Sequence, residues 1–246
     1  MNIKKIGIVS FIFILNLYAT DLTLNMGVGN WNPKLSGTTG TRVSPNYEIK
    51  DDYGISEKSD STYLWVDYRH KQSFIPRYKF EISDLLFEGK TSKQIVLRDK
   101  TFSLNSESQL KIKQYDNIFY YSLFEDILTI DVGIDFKTFD GFMGVKGNNL
   151  EQKEDFDDTS ALYYLAFSYS MDDLHFLYDI KYGIDGASKI QDQSIKAKYI
   201  ALKSGILCLG VELGYKKQNI KVDDTSVSYI GDLDIEGLFA GLIAKF

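Results

Sequence analysis

Cysteine is almost absent from this sequence: Cys208 is the only one in 246 residues. An internal disulfide is therefore excluded, whatever the redox state of the compartment. Proline is also scarce, with three residues, whereas there are 19 glycines, 17 tyrosines and 16 phenylalanines. That composition favours β-strands and tight turns over helices. Without crosslinks, the stability of the chain must come from elsewhere, and a closed hydrogen-bonded barrel is one source.

Two further absences narrow the class of protein. After residue 20 there is no window of 18 consecutive apolar residues, which excludes transmembrane helices in that part of the chain. A basic surplus is also missing, because the formal net charge is −6 and becomes −8 when residues 1–19 and their two lysines are removed (−6 − 2 = −8). Nucleic acid binds basic surfaces, so it is not expected as a partner.

The first residues, MNIKKIGIVSFIFILNLYAT, have the pattern of a secretory signal peptide. Lys4 and Lys5 precede an apolar run over residues 6–15, and Ala19 offers a small residue for cleavage. The apolar run is too short to span a bilayer comfortably. We therefore expect a cleaved segment at 1–19 and one domain at 20–246, since all-β barrels of 200–250 residues are routinely single domains.

The mature chain is dominated by segments in which apolar and polar residues alternate, the period of a β-strand. In residues 127–138, ILTIDVGIDFKT, every second residue is apolar, and the residues between them are Thr, Asp, Gly, Asp and Lys. We predict ten strands, at about 22–31, 61–70, 76–87, 109–123, 127–138, 160–170, 174–182, 194–203, 206–217 and 234–246.

Two segments need separate comment. The alternation in 109–123 changes phase near residues 114–116, which we interpret as a bulge. Residues 95–104 also alternate and are predicted to extend a hairpin beyond the membrane.

The predicted connections between these strands are long and short in turn, with long ones at 32–60, 88–108, 139–159 and 218–233 and a medium one at 183–193. Outer-membrane barrels show this asymmetry, with short periplasmic turns and long external loops. The predicted fold is thus all-β: a transmembrane antiparallel up-and-down β-barrel of ten strands, with eight as the alternative count.

The charged residues decide which face of each strand is expected inside. A Lys or Arg facing lipid at mid-depth costs roughly 2–4 kcal/mol, so the polar face of each strand should line the lumen. This predicts a lumen charge network of Asp67, Arg69, Arg77, Lys79, Glu81, Asp131, Asp135, Lys137, Asp179, Lys181, Lys196, Lys198, Glu212 and Lys216. Two interpretations of such a network stay open: mutually neutralising charges that fill a narrow barrel, or the lining of a small ion-conducting pore.

Catalytic and metal-binding readings find little support in the sequence. His70 and His175 are the two histidines, and both fall at predicted periplasmic strand ends, so we expect no catalytic residue. Acidic pairs and runs at 51–52, 151–158 and 223–224 lack the spaced ligands and the glycine of a calcium loop, and we expect solvated external loops there. We predict no cofactor and no metal site.

The last strand-like run, IEGLFAGLIAKF, finishes on an aromatic residue, and its apolar face is formed by Leu238, Ala240, Leu242, Ala244 and Phe246. This face resembles the carboxy-terminal assembly signal of bacterial outer-membrane β-barrels, which the barrel-assembly machinery reads. With its hairpin rhythm, the chain resembles the small outer-membrane β-barrel families of Gram-negative bacteria. The resemblance implies an outer-membrane location, contact with membrane lipid and lipopolysaccharide, and a last strand that closes the barrel against the first.

The expected role is a non-enzymatic structural or surface-interaction barrel, acting as a monomer. Three alternatives stay open at this point: a narrow passive channel for ions or small solutes, an outer-membrane hydrolase or lipid-modifying enzyme, and a secreted lipocalin-like barrel with its apolar faces inward.

Overall fold

The computed structural model describes residues 22–41, 45–55, 61–147, 150–183, 188–222 and 229–246, so the predicted signal peptide at 1–19 lies outside it. Within these residues there is no helix long and apolar enough to cross a membrane. The strands are β1 (Leu22–Thr41), β2 (Tyr47–Glu48), β3 (Ser61–His70), β4 (Arg77–Lys90), β5 (Ile95–Leu97), β6 (Lys100–Phe102), β7 (Glu107–Glu125), β8 (Leu128–Gly147), β9 (Leu150–Met171), β10 (Leu174–Gly183), β11 (Ser188–Ser204), β12 (Leu207–Val222) and β13 (Tyr229–Lys245).

Ten of these strands form the wall of a closed barrel: all except the short β2, β5 and β6. Each wall strand pairs antiparallel with its neighbours, and β13 pairs along its whole length with β1. The backbone of Phe246 also exchanges hydrogen bonds with Leu24, with N–O distances of 2.9 and 3.2 Å. The predicted ten-stranded antiparallel barrel, closed by its last strand against its first, is confirmed.

The strand pairing also fixes the stagger of the barrel. Cross-strand neighbours followed once around the wall from Leu24 lead back to β1 at Ser36, twelve residues further along (36 − 24 = 12). Ten strands with this stagger are tilted by roughly 40° from the barrel axis. The interior of such a barrel is only slightly wider than one that side chains alone can fill.

The two ends of the barrel differ in their connections. At one end, which we call the turn end, the wall strands are joined by the short segments 71–76, 126–127, 172–173 and 205–206. At the other, the loop end, several strands run further than the sequence predicted. The long connection expected at 139–159 is wrong, because β8 and β9 continue as a paired hairpin that leaves only residues 148–149 between them.

An apolar belt surrounds the barrel on the side of the turn end. Across β9, the belt from Ala161 to Tyr169 spans roughly 20 Å along the barrel axis, close to the apolar band of about 25 Å that outer-membrane barrels present to lipid. Exposed large side chains of this belt include Val28, Leu64, Phe119, Ile134, Phe136, Tyr163, Phe167, Tyr169, Phe176, Tyr182, Ile195, Tyr199, Val211, Leu213, Leu238 and Leu242.

Beyond the belt, towards the loop end, the outward and inward faces of the wall exchange polarity at the same level. The outward residues become polar, as in Lys34, Asp84, Lys113, Asp140, Lys217 and Glu236. The inward residues become apolar and fully buried, as in Leu35, Leu85, Ile112, Phe139, Ile220 and Ile235. We call this part of the barrel the head. On β8 it reaches roughly 20 Å beyond the belt, from Thr138 to Gly147.

Two loop-end segments complete the core of the head. Residues 45–55 contribute Tyr47, Ile49, Tyr53 and Ile55, and the β5–β6 hairpin contributes Ile95, Leu97 and Phe102, all buried in the same apolar cluster. Residues 95–104 do not extend a hairpin of the wall as we expected, because β5 and β6 form a separate hairpin and pair only with each other. This hairpin is folded inward over the barrel and does not lengthen a wall strand.

The bulge predicted near residues 114–116 is wrong. Through Gln114 and Asp116, β7 stays in unbroken register with β4 and β8, and its register shift falls between Ser122 and Phe124. The change of phase in the sequence has another cause. It marks the level at which the inward side chains change from apolar, at Ile112, to polar, at Gln114.

Candidate functional site: the charges inside the barrel

The fourteen residues of the predicted lumen network all project into the barrel. Ten of them are buried, and Arg69, Glu81, Lys198 and Lys216 are partly buried. They do not form one network, however. The structure divides them into a central cluster at the level of the belt, a group at the turn end around Arg69 and Arg77, and a third group around Glu212.

Lys137 is at the middle of the central cluster, and its side chain is 0% exposed. Its Nζ lies 2.8 Å from Asp116 Oδ1 and 2.9 Å from Asp192 Oδ2. Lys216 approaches the same Asp192 oxygen at 3.3 Å. Because a buried charge without a partner is strongly unfavourable, each lysine stabilises the ionised form of the carboxylate that it contacts, and each carboxylate does the same for its lysine.

Lys181 extends the central cluster across the lumen by contacting carboxylates of other strands. Its Nζ lies 2.9 Å from Glu81 Oε2, 3.0 Å from Asp116 Oδ1 and 3.5 Å from Asp135 Oδ2. Lys79 Nζ contacts the other oxygen of Glu81 at 2.5 Å. Nearby, Asp179 accepts a 2.8 Å hydrogen bond from Ser194 and faces Lys196 at 3.9 Å. Ion pairs of this cluster therefore join residues of β4, β7, β8, β10, β11 and β12 across the lumen.

Two carboxylates of this cluster, Asp116 and Asp192, were missed by the sequence analysis. Asp116 lies at the change of phase on β7, and Asp192 lies on the part of β11 that was taken for a connection. The predicted set had six acidic and eight basic residues, so two more acids were needed for a neutral interior. With Asp116 and Asp192 the count is eight against eight (6 + 2 = 8).

A second group of charged residues lies at the turn end of the barrel. Arg69 Nε lies 2.8 Å from Asp67 Oδ2, whose other oxygen accepts a 2.6 Å hydrogen bond from Tyr120. Arg77 lies 2.5 Å from Glu125 at the rim and also donates to the carbonyl oxygen of His70. Asp131 faces Arg69 at 3.7 Å.

The third group contains a carboxylate that two aromatic residues hold. Glu212 Oε1 accepts hydrogen bonds from the Trp65 indole at 2.7 Å and from the Tyr63 hydroxyl at 2.9 Å. Lys198 lies opposite Glu212 across the β11–β12 pair, yet its Nζ stands over the Trp65 ring, 3.9 Å from the centroid. A cation over an indole ring is attracted to the electron-rich face of that ring.

A pair of buried amides marks the upper limit of the central cluster. Gln114 and Gln218 reach across the barrel and exchange two hydrogen bonds of 2.9 Å, and Gln218 also donates to Asp192 at 2.7 Å. The apolar core of the head begins directly above them, with Ile112 and Ile220 two residues further along the same strands. Both amides are 0% exposed, so they seal the polar layer against the apolar one.

Both histidines lie at the turn end, as the sequence indicated. His70 is the last residue of β3, and its Nε2 is 3.3 Å from the carbonyl oxygen of Pro76. His175, near the start of β10, has its Nδ1 2.8 Å from Ser170 Oγ. Within the described part of the chain, neither histidine has a carboxylate hydrogen-bonded to its ring, the arrangement that orients a catalytic imidazole.

The acidic run at 151–158 is a strand and not the solvated loop that we expected. Within it Glu154 turns into the head, where its Oε2 lies 2.6 Å from Arg98 of the β5–β6 hairpin. Asp155 on the opposite face is exposed and contacts Lys153 at 2.6 Å. Residues 223–224 lie outside the described part of the chain, and within that part no three His, Cys, Asp or Glu residues are grouped as metal ligands would be.

The predicted assembly face of β13 points outward into the belt. Leu238, Leu242 and Phe246 are 62%, 65% and 46% exposed, and Ala240 and Ala244 lie between them on the same face. This face lies at the seam, because β13 pairs with β1 on one side and β12 on the other.

Comparisons with known proteins give fold likeness only. No protein-family model matches the chain, and no curated protein matches it. Among solved structures, the outer membrane protease OmpT from Escherichia coli is similar at 10% identity and a TM-score of 0.46, over 92% of this chain and 96% of that one. The translocator domain of the autotransporter NalP from Neisseria meningitidis is similar at 11% identity and a TM-score of 0.43, over 97% and 94%.

The neisserial surface protein NspA is similar at 11% identity and a TM-score of 0.34, over 92% of this chain and 97% of that one. At these scores the likenesses carry no argument. The fold assignment rests on the strand order, the closure of β13 on β1 and the apolar belt. The chain has the closed, antiparallel fold of an outer-membrane β-barrel.

Proposed function

We propose that this protein is a closed, non-enzymatic barrel of the outer membrane that holds its head outside the bilayer as a surface for interaction with other envelope or cell-surface components. In this arrangement the turn end faces the periplasm and the loop end faces the exterior, as in other outer-membrane barrels. The belt lies in the hydrocarbon layer, and lipopolysaccharide surrounds the base of the head.

The observation that carries the proposal is the reversal of polarity along the wall. A barrel that only had to cross the membrane could stop where the belt stops. Here β8 and β9 continue for about ten residues each, and their inward side chains join a core of the kind found in water-soluble domains. A folded, apolar-cored projection beyond the bilayer is suited to contact with a partner, because it holds a fixed surface there.

The side chains inside the barrel favour a blocked lumen over an open channel. Among the described residues, the ion pairs around Lys137 and Lys181, the Gln114–Gln218 pair and the apolar core follow one another along the axis. An ion would have to displace paired charges and then cross an apolar layer, which is strongly unfavourable for a charge. A narrow channel is the second candidate, supported only by the polar lining at belt level.

Conductance and topology test the proposal together. Purified protein reconstituted in planar bilayers should give no current steps above background, and regular ohmic steps would show that the protein is a channel.

For topology, a Cys208→Ser background allows single cysteines to be placed at Lys153, on the head, or at Lys203, at the turn end. On intact Gram-negative cells a membrane-impermeant maleimide should label the first and spare the second. Equal labelling, or the reverse order, would contradict the proposed orientation.

A further inference from the structure

A cavity of about 270 Å³ opens at the turn end and reaches up to Trp65. We call it the vestibule. Since a water molecule takes about 30 Å³ of liquid volume, it has space for a small solute with its hydrating water. Among the described residues that line it there is none of the central cluster, so the vestibule is distinct from the ion pairs at belt level. Its polar lining includes Asn25, Arg69, Ser168, His175, Lys198 and Lys245.

The lining of the vestibule is strongly biased towards positive charge. Arg69, Lys198 and Lys245 supply three cations, whereas Asp67 is the only carboxylate among the lining residues. Both oxygens of Asp67 are already engaged, one by Arg69 at 2.8 Å and the other by the Tyr120 hydroxyl at 2.6 Å. The carboxylate that lines the cavity is therefore not available to neutralise the other two cations.

Lys198 is the residue on which the argument depends. Among the described residues, no carboxylate oxygen lies within 4.0 Å of its Nζ and no hydrogen bond holds it. Oε1 of its cross-strand neighbour Glu212 accepts hydrogen bonds from Trp65 and Tyr63, and neither oxygen of that carboxylate lies within 4.0 Å of Lys198 Nζ. Lys198 is half-buried over the Trp65 ring and has its ammonium group directed into an open cavity.

We propose that the vestibule binds a small oxyanion, a phosphate or carboxylate group on a solute that reaches the barrel from its turn end, with Lys198 as the principal contact. Arg69 is the second contact, since its side chain is 33% exposed while its Nε holds Asp67. The hydroxyls of Ser168 and Ser170 and the amide of Asn25 can donate further hydrogen bonds to the same anion. Charge-assisted hydrogen bonds of this kind are the strong ones.

Titration of the full chain in detergent micelles tests the site. Calorimetry with inorganic phosphate, and separately with succinate, should show saturable binding by at least one of them, and sodium chloride at matched ionic strength should not. Lys198→Gln should weaken that binding roughly ten-fold or more, because it removes a hydrogen bond from a charged donor. Lys189→Gln is the matched control, because Lys189 lies on the same strand, exposed on the head.

Fluorescence gives a second readout. The sequence has two tryptophans, so Trp31→Phe leaves Trp65, beneath Lys198, as the single reporter. Saturation by phosphate alone assigns a phosphate group, and saturation by succinate alone assigns a carboxylate. Should Trp31→Phe fail to fold, calorimetry on the unmodified tryptophan background decides the question. Equal affinity in Lys198→Gln, or no saturation with either anion, would overturn the proposal whatever the conductance experiment shows.

Discussion

The belt-level half of the barrel and the head are built from the same ten strands, yet they are organised in opposite ways. On β8, Ile134 faces outward and Asp135 faces inward, whereas a few residues further along Asp140 faces outward and Phe139 inward. Nothing in the strand pairing changes between them. The surroundings of the wall differ between the two levels. At the belt, apolar side chains face outward into lipid, whereas in the head they are buried inside the barrel, away from water.

The two halves are therefore stabilised by different interactions. In the lower half, removal of one ion-pair partner leaves another charge buried without compensation. In the head, stability comes from close packing of aliphatic and aromatic side chains. Single substitutions should separate the two contributions, and unfolding by urea in lipid vesicles, followed by the gel mobility of unboiled samples, measures each.

The largest effect is expected from Lys137→Met. It leaves Asp116 and Asp192 without the cation they share, at a cost of about 3–5 kcal/mol in the free energy of unfolding. The control is Lys113→Met, because Lys113 is exposed on the head and lies 3.6 Å from a half-exposed Asp84. Exposed pairs contribute about 0–1 kcal/mol. An unchanged urea midpoint for Lys137→Met would show that the central cluster does not stabilise the barrel.

Leu85→Ala should destabilise the head by about 3 kcal/mol, because it opens a cavity in a fully buried core. Its neighbour Leu86 points outward and is 38% exposed, so Leu86→Ala should cost less than about 1 kcal/mol. Similar losses for the two variants would contradict the assignment of a packed core to the head.

Ile134→Lys should cost about 2–3 kcal/mol, since it places a charge on the lipid face near the middle of the belt. Asp140→Lys introduces the same side chain on the same face of β8 above the belt, where a surface substitution changes stability by about 0.5 kcal/mol or less. The difference between these two variants locates the membrane border. If both are tolerated equally, the belt does not face lipid.

The smallest and sharpest test concerns the boundary between the halves. Gln114→Met leaves the buried amide of Gln218 with one partner fewer and should cost about 1–2 kcal/mol. In Gln114→Met combined with Gln218→Met, much of that loss should be recovered, since Asp192 keeps Lys137 and Lys216 and both new side chains join the apolar layer. A double variant worse than the sum of the singles would mean that the amides organise the boundary.

The sequence predicted the barrel, its strand number and the inward face of the fourteen charged residues, because alternation and the cost of charge in lipid are local properties of each strand. The head was not predicted. Above the belt the alternation continues in the opposite phase, so the change of phase near residues 114–116 was interpreted as a bulge and Asp192 was placed in a connection. A rule that assigns apolar residues to lipid cannot hold where the strand has left the lipid.

The partners inside the barrel were beyond sequence reasoning for a different reason. Lys181 contacts Glu81, 100 residues away in the sequence, and Gln114 contacts Gln218, 104 residues away. Which side chains meet inside the barrel depends on the stagger of the closed wall. The excess of eight basic over six acidic residues in the predicted set was a signal that acidic residues were missing, but a count does not identify which ones.

The seam has a consequence for the order of folding. The Trp31 indole donates to the carbonyl oxygen of Gly237, 206 residues away, and the core of the head contains Leu35 from the first strand and Ile235 from the last. Contacts of such long range cost more chain entropy than contacts between neighbouring strands, and pairing of the intervening strands lowers that cost. We therefore expect the head to be completed after the neighbouring strands have paired, and until the first and last strands meet, the apolar side chains of its core stay accessible to water.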